Sequence, residues 1–262
     1  KKRAIHKARV LDRLVHQIVF DQLTQAYEPC FISDSYSSRR EKGVHRAVKT
    51  LRYFMGLAGG YERRVFALKC DISQFFRSID QNILLALIGR KIVEPRFFSL
   101  IGQVVESFEA PPPSGKGMPL GNVTSQIFAN IYLHELDIFI KRQLGVRFYV
   151  RYNDDFVLVH ESEAALRNVL PRIQSFLADT LQLTLPSGKT ELRKVSQGVD
   201  FLGYRVAPKF VLLRDSTKAK TCARLNESNI NSYLGILDHA NACTLRQKLL
   251  ADFFLSRGGG LG

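Results

Sequence analysis

Two adjacent acidic residues, Asp154 and Asp155, lie between two short runs rich in β-branched and aromatic residues. The pattern from Phe148 to His160 predicts two strands that flank a tight turn at Asn153-Asp154, a common turn pair. Neighbouring carboxylates in a hairpin repel each other unless water or cations neutralise them. From these residues alone, a solvated turn and a cation-binding site are equally acceptable interpretations.

A third carboxylate, Asp71, stands near the end of another predicted strand. The segment from Val65 to Ile72 has the composition of a buried strand, and Phe75 and Phe76 follow it closely. A helix N-cap is the plain alternative for this aspartate. Together, the strand-end acid and the hairpin acids predict a site for hard divalent cations, because magnesium prefers carboxylates, water and substrate phosphates. Two such ions can support an in-line displacement at phosphorus.

The remaining patterns predict an α+β protein, with a small, mostly antiparallel sheet covered by several helices. The first helix, within Arg3 to Gln25, is expected to bury the apolar residues Val10, Leu14, Val15, Ile18, Val19 and Leu23. Further helices are predicted over 44–57, 81–91, 95–108, 125–144 and 163–181. A hairpin is predicted across Ala207-Pro208-Lys209, followed by a basic helical tail from Asp215.

Charge and cysteine content narrow the class of partner. Lys and Arg total 38 against 24 acids, which gives a net charge of +14 and favours a polyanion such as nucleic acid over an ordinary basic protein. The four cysteines lack the spacing of a zinc site, so reduced thiols and a cytoplasmic location are expected. No apolar run reaches the roughly 18 residues of a membrane span, and no signal peptide is recognised at the first residues.

Several segments, taken in order, resemble the motifs of reverse transcriptases. They are Arg3-Ala4-Ile5 with Asp12-Arg13-Leu14-Val15, Ser35 to His45, Asp71 to Asp80, Gly117 to Gln126, Tyr152-Asn153-Asp154-Asp155, Gly188-Lys189-Thr190 and Phe201-Leu202-Gly203-Tyr204. The resemblance implies a right-hand polymerase with an antiparallel palm sheet covered by helices. The fingers would be 1–68 and 81–117, the catalytic palm 69–80 and 118–213, and a helical thumb-like region 214–262.

The resemblance also implies an RNA-directed DNA polymerase, a nucleotidyltransferase that uses template RNA, a primer or cDNA, and dNTPs. Two Mg²⁺ ions, or Mn²⁺ in their place, are expected to bind Asp71, Asp154, Asp155 and the carbonyl of Ile72. Lys189 is expected to act as a general acid or as an electrostatic contact to the departing pyrophosphate.

The nucleotide and the primer have their own candidate residues under this resemblance. Phe76 is expected to exclude a 2′-hydroxyl, with a plain core role as the alternative. Phe75 is also a nucleotide-binding candidate, and its ring is expected in the core. The other nucleotide-binding candidates are Arg3, Arg39, Ser73, Gln74, Leu120 and Gln126. Phe201, Leu202, Gly203 and Tyr204 are expected to grip the primer, with a core hairpin as the alternative.

The stretch from Pro119 to Tyr132 is most similar to the reverse transcriptases of bacterial diversity-generating retroelements. Asn231-Ser232-Tyr233-Leu234-Gly235 and His239-Ala240-Asn241 extend that likeness, which implies a small basic accessory protein as a partner. Group II intron, retron and phage-defence reverse transcriptases share the core motifs and are alternatives, as is a non-catalytic nucleic-acid-binding relative.

Two residues depart from the common pattern of reverse transcriptases. Leu120 stands where many of them have Gln, and it lacks the amide that can hydrogen-bond near the nascent base pair. The sequence therefore predicts low fidelity. Asn153 stands where many relatives carry Ala, Val or Met, which affects fine tuning because both neighbouring carboxylates are kept.

Overall fold

The computed structural model describes residues 10–62, 64–107, 115–118 and 121–224 of the chain, with backbone alone for 220–224. The α-helices within these residues are α1 (Val10–Tyr27), α2 (Val44–Leu57), α3 (Phe75–Ser78), α4 (Gln81–Gly89), α5 (Pro95–Glu106), α6 (Val123–Ile138), α7 (Glu163–Leu181) and α8 (Asp215–Arg224). The strands are β1 (Phe66–Asp71), β2 (Phe148–Tyr152), β3 (Asp155–His160), β4 (Thr190–Lys194), β5 (Val199–Phe201), β6 (Tyr204–Val206) and β7 (Val211–Leu213). Arg3, Leu120 and residues 225–262, which hold most of the predicted thumb-like region, lie outside the described residues.

The central sheet has four strands in the order β2-β3-β1-β4, and each neighbouring pair is antiparallel. A second antiparallel sheet has the order β5-β6-β7. The predicted bounds of α2 and α7 are confirmed. The expectation of a single hairpin near the end was incomplete, because an additional turn at Leu202-Gly203 divides 199–206 into two strands.

The central strands are buried on both faces. Cys70 and Phe156 belong to the core on one face, which also contains buried residues of α1, α4, α5, α6 and α7. Ala67 and Val157 belong to the core on the other face, together with α2 and the second sheet. Two covered faces leave little room for charge along the strands, so their acidic residues stand at the strand ends.

Helix α1 buries a different stripe from the one predicted. Val10, Leu14 and Ile18 are 66%, 58% and 57% exposed, so their expected burial is wrong. The buried residues are His16, Val19, Leu23 and Tyr27, of which Val19 and Leu23 were expected. Polar anchoring explains the difference: the imidazole of His16 contacts Thr124, and the Tyr27 hydroxyl donates to the carbonyls of Leu87 and Ile88.

None of the described helices combines the length and apolar composition that a bilayer span would need. Cys30 and Cys70, whose side chains the structure describes, are both free thiols. Cys70 is fully buried in β1, as its place among apolar strand residues predicted.

Candidate active site

The strand-end acid and the hairpin acids meet at one edge of the central sheet. Asp71, the last residue of β1, is the antiparallel register partner of Asp155, the first residue of β3. Directly beyond this pair, the backbone N–H of Ile72 donates to the carbonyl of Asp154 at 3.1 Å. Asn153 takes a left-handed conformation with φ +52°, which asparagine tolerates better than most residues. The turn therefore fixes both hairpin acids beside the end of β1.

Two lysines partner the opposed carboxylates. Lys189, in the turn before β4, forms an ion pair and a hydrogen bond with the carboxylate of Asp71. Lys69 lies two residues before Asp71 on the same face of β1, and its Nζ lies 3.7 Å from Asp155 Oδ2. At that distance the two groups form an ion pair, but they are too far apart for a hydrogen bond. Each acid is thus partly neutralised by a cation within the chain.

The side chain of Asp155 is 20% exposed, against 37% for Asp71, and its environment disfavours an isolated negative charge. Burial raises the pKa of Asp155 to about 7, Lys69 opposes the rise, and the carboxylates of Asp71 and Asp154 add to it. Its Oδ1 atom is buried and has no hydrogen-bond partner among the described residues. A buried carboxylate oxygen without a donor is suited to receive a cation.

The three acids offer the oxygen ligands that magnesium prefers, although they are not grouped closely enough to surround an ion. Hard oxygen ligands from two strands and a turn are what Mg²⁺ prefers. In residues 10–62, 64–107, 115–118 and 121–224, no three His, Cys, Asp or Glu side chains are grouped closely enough to hold a metal ion. Lys189 is paired with the carboxylate of Asp71. This ion pair must therefore open before a metal ion can bind that carboxylate.

The nucleotide candidates that follow β1 lie on a short, well-anchored segment. The N–H of Ser73 donates to the carbonyl of Thr184 at 3.0 Å, and Gln74 has a φ of +45° just before α3. Phe75 is 1% exposed and belongs to the core, as expected. Phe76 is partly buried, and its ring meets that of Phe75 edge-on at 5.2 Å.

Arg39 has the environment of a structural arginine. Its guanidinium is 6% exposed and forms an ion pair with Glu28 at 2.8 Å. It also donates to the carbonyls of Ile32 and Ser35. These contacts use the donors that a phosphate would need, so in this conformation Arg39 holds its own loop together. Gln126 is exposed on the first turns of α6.

The four residues expected to grip the primer form the turn between β5 and β6. Phe201 and Tyr204 are buried, and Leu202 and Gly203 have φ values of +50° and +88°. The start of α8 holds this turn, because the Oγ1 of Thr217 and the N–H of Arg214 each donate to the Gly203 carbonyl at 3.0 Å. The turn is therefore both a core hairpin and a fixed projection of the second sheet.

A buried polar network behind the acidic turn was not predicted. The fully buried guanidinium of Arg151 donates to both oxygens of Asp137 on α6 at 2.7 and 2.6 Å. It also donates to the Ser35 hydroxyl at 3.1 Å and to the Asn153 carbonyl at 3.3 Å. Asn130 extends the network, since its amide nitrogen donates to the Ser37 carbonyl at 2.9 Å. The network connects the 33–37 loop, α6 and the acidic turn.

The chain resembles proteins encoded by bacteria and by introns. It is 26% identical to Protein YkfC of Escherichia coli over 76% of this chain and 61% of that protein. It is 24% identical to the group II intron-encoded protein LtrA of Lactococcus lactis over 86% of this chain and 47% of LtrA. The chain therefore spans about half to three-fifths of the length of these relatives.

Solved structures with the same fold include fungal telomerases. Telomerase from Candida albicans, solved with a TWJ fragment of telomeric RNA, gives a TM-score of 0.59 at 15% identity, covering 94% of this chain and 47% of that chain. This likeness identifies an α+β fold of the reverse transcriptase type. The family described as "Reverse transcriptase (RNA-dependent DNA polymerase)" matches residues 1–206. Because this match covers well over half of the chain, the chain belongs to the reverse transcriptase family.

Proposed function

We propose that the chain is an RNA-directed DNA polymerase that makes cDNA by two-metal nucleotidyl transfer. The observation that carries the proposal is the register pairing of Asp71 with Asp155, with Asp154 in the adjoining turn. These are the acids at the matching places of the family's catalytic motifs. The family match makes a polymerase the expected activity, and the pairing supports an intact catalytic centre.

The metal ligands under this proposal are Asp71, Asp154, Asp155 and the carbonyl of Ile72. They would hold two Mg²⁺ ions, with Mn²⁺ as a substitute, which when bound activate the attacking oxygen and stabilise the leaving pyrophosphate. Lys189 forms an ion pair with the carboxylate of Asp71, which supports its proposed role as a cation or proton donor to the departing pyrophosphate.

The incoming dNTP would lie over the segment that follows β1. Ser73 and Gln74 present backbone there, and Phe76 would exclude a 2′-hydroxyl beneath the sugar. Arg3 and Leu120 are proposed from the family resemblance alone. For Arg39, the contacts with Glu28 and the loop carbonyls favour holding the 33–43 loop over direct phosphate binding.

Template RNA and the growing cDNA are the proposed nucleic-acid partners. The net charge of +14 supports a polyanionic ligand, and the primer end would rest on the Leu202-Gly203 turn. Lysine and arginine contacts to phosphates give affinity without sequence readout and weaken steeply with salt. The division into fingers, palm and thumb-like region remains part of this proposal.

Primer extension tests the activity directly. The purified chain is given a DNA primer on an RNA template, dNTPs and Mg²⁺, and incorporation is compared between wild type and Asp154→Asn. The expected result is extension that this variant abolishes, whereas Asp179→Asn, an exposed acid on α7, leaves it unchanged. Binding of the primer–template without extension would support the non-catalytic alternative. Nucleotide addition without a template would support a defence-type enzyme.

The finer assignment to a diversity-generating retroelement rests on the Pro119–Tyr132 stretch and on Leu120. The curated relatives, which include an intron-encoded protein, support the group II alternative equally. Sequencing of cDNA made by wild type and by Leu120→Gln distinguishes them. The retroelement proposal expects fewer errors in Leu120→Gln, and equal error rates contradict it. A template repeat and a variable gene beside the coding sequence would support this proposal, which also carries a small basic accessory protein as a partner.

A further inference from the structure

A buried histidine on α1 holds the chain just before and within the start of α6. His16 is 8% exposed and lies on the buried stripe of α1 with Val19, Leu23 and Tyr27. Its Nδ1 atom lies 2.8 Å from Thr124 Oγ1, and its Nε2 atom lies 3.2 Å from Asn122 Nδ2. More than one hundred residues of chain separate the histidine from both partners. The imidazole therefore makes a tertiary clamp between two segments that are remote in sequence.

The geometry of the clamp sets the state of the ring. The amide nitrogen of Asn122 can only donate, so His16 Nε2 must accept. The proton of a neutral ring then lies on Nδ1 and is donated to the Thr124 hydroxyl. Burial lowers the pKa of His16, with Asp12 opposing, which agrees with a neutral ring. Both ring nitrogens are used, and each has a different role.

The side chain of Asn122 takes part in this clamp instead of capping α6. An asparagine directly before a helix normally accepts a hydrogen bond from an N–H of the first turn. Asn122 precedes α6 in the right backbone conformation, yet its side chain makes no capping hydrogen bond. It reaches His16 instead. The side chain therefore serves to fix where the segment enters the helix.

The segment that ends at Asn122 is also anchored at its other end. The N–H groups of Gly117 and Met118 donate to the carbonyls of Ile79 and Phe76, both at 2.7 Å. Met118 is thus held beside Phe76, the residue proposed to face the nucleotide sugar, and Asn122, four residues further along the chain, is held by His16.

We infer that His16 is a positioning residue for nucleotide selection: through Asn122 and Thr124 it fixes the start of α6, which carries the nucleotide-binding candidate Gln126. This inference rests on the proposed polymerase activity. Loss of the clamp leaves the acids of the catalytic turn in place but loosens one wall of the nucleotide site. The effect is therefore expected on KM for dNTP and on mismatch discrimination more than on kcat.

The test compares His16→Phe, which keeps a flat ring without hydrogen bonds, with Thr124→Val and with His16→Gln. The control is Gln17→Ala, because Gln17 is exposed on the same helix and its amide donates to Asp21, one turn away, at 2.9 Å. His16→Phe is expected to raise KM for dNTP and lower mismatch discrimination about tenfold, with kcat changed much less. His16→Gln, which can donate and accept, is expected to restore part of the loss, and Thr124→Val to show an intermediate effect.

A second measurement does not depend on activity. Amide hydrogen exchange is followed in peptides covering 115–130, and it is expected to quicken in His16→Phe but not in Gln17→Ala. Unchanged KM and mismatch discrimination in His16→Phe, with only a lower melting temperature, overturn the inference. If His16→Phe does not fold, the same comparison is made with Thr124→Val and His16→Gln. If the wild type itself does not extend primers, the proposed function fails, and unchanged exchange over 115–130 then separately rules out the clamp.

Discussion

Asp71 and Asp155 stand directly opposite each other in the antiparallel pairing of β1 with β3, although 83 residues separate them in the chain. Opposed carboxylates repel, so the pairing costs free energy in the absence of a cation. Lys189 and Lys69 reduce that cost in the metal-free chain. The same two lysines therefore compete with any metal ion for these acids.

Removal of Lys189 is expected to tighten metal binding while it slows the reaction. The ion pair with Asp71 is 44% and 37% exposed at its two side chains, so it is screened by water. Exposed ion pairs are worth about 0.2–1 kcal/mol, which corresponds to at most about a fivefold gain in affinity. Mn²⁺ titration followed by electron paramagnetic resonance measures this gain in Lys189→Ala. The control is Lys194→Ala, because Lys194 is an exposed lysine at the end of β4. Equal affinities in the two variants would contradict competition at Asp71.

Phe75 and Phe76 are expected to respond to the same substitution in opposite ways. Phe76→Ala should lower the preference for dNTP over rNTP by about 10- to 100-fold, because an apolar wall against the 2′-hydroxyl is lost. Phe75→Ala should instead destabilise the fold by about 3–5 kcal/mol, because a buried ring is removed, and should leave the preference unchanged. The ratio of kcat/KM for dGTP and GTP, measured beside urea unfolding, separates the two roles. Equal selectivity in Phe76→Ala and wild type would rule out the sugar contact.

Substitution of either partner of the buried ion pair between Arg151 and Asp137 should lower the free energy of unfolding strongly. Arg151→Met leaves a buried carboxylate unpaired and is expected to lower the free energy of unfolding by about 3–5 kcal/mol. Arg151→Met combined with Asp137→Leu removes both charges and should recover much of that loss. Arg167→Ala, which breaks an exposed pair with Glu163, should cost no more than about 0.5 kcal/mol. Urea unfolding at neutral pH measures all three, and a single substitution as mild as Arg167→Ala would refute a structural role for the pair.

The free energy of unfolding is expected to fall as the pH drops below about 6.5, the ordinary pKa of histidine. Burial lowers the pKa of His134 on α6, with Asp137 and Glu135 opposing. The unfolded chain, with a histidine pKa of about 6.5, takes up this proton before the folded chain does. The contribution is complete above about pH 6.5 and is lost as the pH falls towards the lower folded pKa. Unfolding of wild type and His134→Gln between pH 7.5 and 5 tests this, since the variant should lose less stability; parallel curves would contradict it.

Much of the site's location could be predicted because its signals are local. Asp71 and the pair Asp154-Asp155 each stand at the border of an apolar strand pattern, and such borders are visible in a single sequence. Helices α2 and α7 were equally accessible, because apolar residues at helical spacing mark them.

The features that were missed depend on contacts between remote segments. Strand β4 has the sequence Thr-Glu-Leu-Arg-Lys and lies at a sheet edge, so it lacks the apolar alternation that indicates a strand. Arg151 appears in the sequence as an ordinary strand residue, and only its pairing with Asp137 explains its full burial. Lys69 was the one accessible omission, because strand periodicity puts it on the same face as Asp71.

The buried Arg151 network has a consequence for protein engineering. The 33–37 loop cannot be replaced on its own by the loop of a relative, because Arg151 and Asn130 donate hydrogen bonds to Ser35 and Ser37. A chimera should keep its yield and activity only if positions 130, 137 and 151 are transplanted together with the loop.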